Sequence, residues 1–108
     1  MADDLLIVAR QIDPTLSLKY NKHYIGLTKA GEAFNFVLFK PKKNHLNAEF
    51  RIPRSDELDA RIKQAELEEL EYSKQWNRYR IHLTKADLTE RRGIVSELLK
   101  KAYEFSSS

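Results

Sequence analysis

No cysteine occurs in the chain. That absence excludes disulfides, zinc–thiolate sites and thiol catalysis, and it favours an intracellular setting. Glycine is scarce: Gly26, Gly31 and Gly93 are too few and too scattered for a loop that cradles phosphate. No apolar run approaches the roughly 20 residues that span a bilayer. Leu5-Leu6-Ile7-Val8-Ala9 is too short for the apolar core of a secretory signal, and Asp3 and Asp4 stand before it where cations belong. A cytoplasmic protein with no membrane partner is expected. His23, His45 and His82 lie far apart without ligand spacing, and no serine has the setting of a nucleophile. Glu49-Phe50-Arg51 lacks the second acid and the lysine of a metal nuclease. The sequence therefore predicts no enzyme activity, no metal and no other cofactor.

What is present suits a soluble domain. The 108 residues are 42% apolar and 32% charged, enough to bury one core without staples. One α+β domain over residues 1–105 is expected, with a serine tail at 106–108 that frays. The net charge is +3, and it is unevenly spread. Residues 1–14 carry −2, residues 15–54 carry +6, residues 55–71 carry −5 and residues 72–108 carry +4. Such polarity suits a partner with a phosphate backbone, although a solubilising surface has the same composition.

Periodicity assigns the elements. Leu5, Val8 and Ile12 form one stripe of a helix over 3–12, which Asp13-Pro14 ends. Strands follow at 16–20 and 24–27, then a hairpin loop at Lys29-Ala30-Gly31-Glu32, where Gly31 supplies a positive φ. A third strand spans 33–40 and a fourth 46–52, closed by Pro41 and Pro53. Ser55 caps a helix that buries Leu58, Ile62 and Ala65. Residues 66–71 read as an acidic connection with a short extended piece at Leu70 and Tyr72. A fifth strand covers 76–83. Thr84 and Asp87 have the spacing of a capping box ahead of a long helix to about Tyr103, and Gly93 inside it suggests a close contact. The order α-β-β-β-β-α-β-α predicts a two-layer sandwich, an antiparallel sheet of about five strands with helices on one face.

The strand at 76–83 alternates strictly. Tyr79, Ile81 and Leu83 point to one side; Trp76, Arg78, Arg80 and His82 point to the other. Arg51 occupies the matching face of another strand, and Lys40, Lys42, Lys43 and His45 surround the stop at Pro41. Arginines pair with phosphates, and an exposed indole can stack a base. Two plainer readings compete: Trp76 as a core residue at the sheet edge, and Arg78 and Arg80 as partners of the acids at 66–71. The leading expectation is a non-catalytic nucleic-acid-binding domain, largely indifferent to sequence, with DNA ahead of RNA as partner. Its site would comprise Lys40, Lys42, Lys43, His45, Arg51, Trp76, Arg78, Arg80 and His82. The alternative is a protein-interaction or dimerisation module of a larger nuclease or defence assembly. It would use an apolar second face on the Phe36-Val37-Leu38-Phe39 strand, with the chain a monomer or a homodimer.

Certain residues also carry a resemblance. Tyr20-Asn21-Lys22-His23-Tyr24-Ile25-Gly26-Leu27, Asn35-Phe36-Val37 with Lys40-Pro41-Lys42-Lys43, Trp76-Asn77-Arg78-Tyr79 and Ala102-Tyr103-Glu104 together resemble a family of bacterial and archaeal C-terminal domains labelled predicted transport proteins. The likeness spans about residues 15–105, and its motifs specify no chemistry. The hairpin with a glycine-containing aromatic strand, the late Trp76-Asn77 pair and the terminal Tyr103-Glu104 are more distantly similar to MmcQ/YjbR-like proteins. That similarity implies a frataxin-like α+β fold and a double-wing mode of DNA binding. Frataxin-type iron binding needs a more acidic first helix than Asp3, Asp4 and Asp13 provide.

Overall fold

A computed structural model describes residues 2–107. Helix α1 (Ala2–Ile12) leads into β1 (Leu16–Tyr20), β2 (Ile25–Lys29), β3 (Glu32–Ala33), β4 (Val37–Pro41) and β5 (Leu46–Arg51). Helix α2 (Asp56–Gln64) follows, then β6 (Glu68–Ser73), β7 (Arg78–Leu83), α3 (Lys85–Glu90) and α4 (Arg92–Ser107). The strands form one antiparallel sheet in the order β1-β2-β4-β5-β7-β6, with β3 paired to β2. The α+β class and the helices against the sheet are as expected; the strands number seven rather than five.

Register explains the two faces. Val37 sits opposite Phe50 and Phe50 opposite Tyr79; Phe39 sits opposite Ala48 and Ala48 opposite Ile81. These side chains are fully buried and form the inner face. They share one core with Leu5 and Val8 of α1, Leu58 and Ile62 of α2, and Val95, Leu98 and Leu99 of α4. Each fully buried side chain of this size stabilises the fold by about 1.5–3 kcal/mol relative to exposure. The opposite face places Leu38, Glu49, Arg80 and Leu70 in one row. Lys40, Asn47, His82 and Glu68 form the next row, and Arg51, Arg78 and Ser73 a third.

The turns and caps follow local rules. Ala30 and Gly31 take φ of 52° and 84°, the pair of positive values that a two-residue hairpin loop demands. The Ser55 hydroxyl accepts from Leu58 N at 3.1 Å, and Thr84 and Asp87 form a complete capping box. Tyr79 ties β7 to α2: its hydroxyl donates to Asp59 at 2.8 Å and accepts from Ser55 N at 2.9 Å. Burial, more than these bonds, pushes the Tyr79 phenol up to about 12.

Four expectations are corrected. The acidic connection is strand β6, an edge strand whose glutamates keep it from pairing further. The apolar run 33–40 is broken at 34–36, where the Asn35 side chain accepts from Leu27 N at 3.0 Å in place of a ladder bond. Asn35 lies so close over Gly26 that any Cβ there would collide with its Oδ1. The last helix divides at Arg91, whose guanidinium donates to Ala65 O at 2.8 Å and pairs with Asp87 at 3.1 Å. Gly93 has nothing within 4 Å of a Cβ position, so it makes no close contact. Helix α4 includes Ser106 and Ser107 of the serine tail, and Ser108 lies outside the described residues.

Candidate nucleic-acid interface

Strands β4, β5 and β7 lie side by side, and this adjacency brings distant cations together. Lys40, Arg78 and Arg80 all turn toward one carboxylate, Glu49, in the middle of the open sheet face. Lys40 Nζ lies 2.8 Å from Glu49 Oε2, Arg78 Nη1 3.5 Å from Oε1 and Arg80 Nε 3.9 Å from Oε2. Glu49 is only 5% exposed. A buried carboxylate requires such company, since desolvation of an unpaired charge is costly. Three cations around one anion leave a surplus of two positive charges. Arg80 also reaches Glu71 O at 3.5 Å. Arg51 is exposed and stands opposite Arg78 across the β5–β7 ladder, adding charge to the same face.

Trp76 is not part of the strand and not part of the core. It sits in the four-residue turn between β6 and β7, next to Asn77 with φ of 55°, and is 57% exposed. The Arg78 guanidinium lies 5.7 Å from the centre of its indole ring, within cation–π range. Between the indole and Glu49 lies an open hollow of about 330 Å3, bordered also by Lys40, Ser73, Gln75 and Arg80. Glu71 borders it as well.

The other expected site residues divide. His82 packs flat on His45, ring centres 3.9 Å apart, and its Nδ1 lies 3.0 Å from Glu68. This stack closes the end of the face rather than projecting from it. Lys42 and Lys43 are exposed in the β4–β5 loop, which Lys42 N closes by donating to His45 O at 2.8 Å. Among the described residues, Arg78 and Arg80 make their carboxylate contacts with Glu49 and not with the acids at 66–71, of which Glu66 pairs with Arg91 and Glu68 with His82. Glu49, read from sequence as one outward residue among several, is the centre of the cluster. No local signal marks it, because its role depends on which strands flank β5. The apolar second face expected on β4 is closed, since Leu38 is only 6% exposed.

A second polar cluster lies at the far edge of the sheet. Tyr103 donates to Asp13 Oδ2 at 2.6 Å and accepts from Lys29 Nζ at 2.7 Å; Lys29 and Asp13 are 3.3 Å apart. Hydrogen bonds from Tyr103 and Thr15, in that order, hold the Asp13 carboxyl far below its ordinary value. This network fastens the end of α1 to β2 and α4. Among the described residues, no three His, Asp or Glu side chains group as metal ligands, and no helix is long and apolar enough to cross a membrane.

Comparison with known proteins adds a family but no chemistry. No curated protein and no solved structure matches the chain. Neither a transport role nor kinship with MmcQ/YjbR-like proteins gains support from these comparisons. The family described as Domain of unknown function (DUF5655) matches residues 1–106, so the chain belongs to that domain family.

Proposed function

We propose that this domain binds nucleic acid without catalysis, through the open face of its sheet and largely without regard to sequence. One observation carries the reading: Lys40, Arg78 and Arg80 converge on a single buried carboxylate, which leaves an excess of positive charge beside an exposed indole. Glu49 fixes the three cations in place, so little side-chain freedom is lost when a phosphate arrives. Arg51 extends the face in one direction, and Lys42 and Lys43 add charge in the loop after β4. Phosphate contacts of this kind position a backbone without reading bases.

The chain has one tryptophan, so its emission reports directly on the site. Titration with duplex and single-stranded DNA at low salt should change that emission. Arg78→Ala combined with Arg80→Ala should weaken binding by at least tenfold. No binding to either DNA at low salt, or binding that the double variant leaves intact, refutes the proposal.

A further inference from the structure

We infer, granting that the open sheet face binds nucleic acid as proposed, that the hollow beside Trp76 receives an unpaired base, so that the domain prefers single strands to duplex. The two cations that border this open hollow, Lys40 and Arg80, stand at its rim. A duplex presents phosphates on a convex surface with its bases hidden, and so meets such a hollow poorly. An unpaired strand can place a base inside and its phosphate at the cations.

The size agrees. A space of about 330 Å3 falls at the low end of the roughly 300–1,000 Å3 range of small-ligand sites. A single base is of a size to enter it. The lining agrees too. Ser73 and Gln75 offer neutral hydrogen-bonding groups suited to a base edge, and Trp76 offers a ring face. Arg78 lies near the indole by a cation–π contact, yet 57% of Trp76 remains open for stacking. Among the described residues, the one ion pair of Arg78 is the 3.5 Å contact to Glu49, so its guanidinium is held loosely beside the indole. Glu71 also borders the hollow and repels phosphate, which favours the neutral base there over the backbone.

Four short fluorescently labelled ligands separate the outcomes by anisotropy at low salt. They are a mixed-sequence DNA strand, the same strand as RNA, the DNA strand annealed to its complement, and an abasic strand of equal charge. The inference predicts that both single strands bind about tenfold more tightly than the duplex. Loss of the bases should cost about tenfold, as should Trp76→Ala, whereas Trp76→Phe should recover much of the loss. Equal binding of the abasic strand, or a duplex bound as tightly as the single strand, overturns this inference while leaving phosphate binding in place. Failure of all four to bind removes the parent reading as well. Trp76 is exposed in a turn, so loss of folding does not account for an effect of its substitution; circular dichroism of each variant checks this directly.

Discussion

Glu49→Gln isolates the element on which the face depends. The substitution keeps the shape of the side chain but removes its charge, and it sets an amide donor toward three cations. Two unit charges 4 Å apart attract by about 4 kcal/mol at an effective dielectric of about 20. Lys40 and Arg80 are 39% and 38% exposed, so water screens much of their share. Arg78, at 20% exposed, is screened less but lies at 3.5 Å, farther than the 2.8 Å of Lys40. The remaining cost is that of a buried amide whose NH2 faces cations and of a part-buried Arg78 with a weakened acceptor, about 2 kcal/mol. Urea unfolding should show the midpoint falling by about 1 M with an unchanged slope. Lys40→Met in the same background removes one stranded cation and should return part of the loss, a coupling that a double-mutant cycle measures. Glu49→Gln alone gains one positive charge on the face and should bind DNA more tightly at low salt. A stability loss under about 0.5 kcal/mol, or no coupling to Lys40, would show that Glu49 does not organise the cluster.

Three further outcomes concern other parts of the fold. Tyr79→Phe strands the Ser55 amide and removes the bond to Asp59, and should cost about 1–2 kcal/mol in urea unfolding. Gly93→Ala meets no neighbour and should stabilise α4 by about 0.5 kcal/mol; a loss of more than that would reveal a contact the fold does not contain. Asp13 has a lowered pKa, so its stabilisation is complete above its ordinary value of 3.8 and disappears as pH falls through the lower folded value. Asp13→Asn should therefore be less stable at neutral pH and should flatten the acid limb of a stability–pH profile. An unchanged limb would assign the acid sensitivity to other carboxylates.

Local chemistry was readable along much of the chain. Alternation in Arg78–Leu83, the Ser55 cap and the Thr84–Asp87 box each depend on a few adjacent residues, and each has its expected form. Features that depend on distant partners were not readable. Glu68-Glu69-Leu70-Glu71 has poor strand propensity and becomes a strand only because β7 offers an open edge. The apolar run from Phe34 to Phe39 hides a break, since the Asn35 bond that creates it reaches back to Leu27. For the candidate site, periodicity put Arg78 and Arg80 on an open face, whereas Lys40 was legible only as part of a basic loop around Pro41. It could not supply the acid at their centre, because the neighbours of β5 come from β4 and β7, elsewhere in the sequence. Trp76 was placed on the right surface for the wrong reason: it belongs to a turn, not to the strand.

The central claim is that the cations around Glu49 engage phosphates, and the salt dependence of binding tests it most directly. Trp76 emission should be titrated with single-stranded DNA over a series of salt concentrations. Contacts from Lys40, Arg51, Arg78 and Arg80 predict a slope of log affinity against log salt of about −3, at about −0.7 per phosphate contacted. Arg78→Ala with Arg80→Ala should reduce that slope by about 1 to 2. A slope near zero, or one that the double variant does not change, would contradict the account.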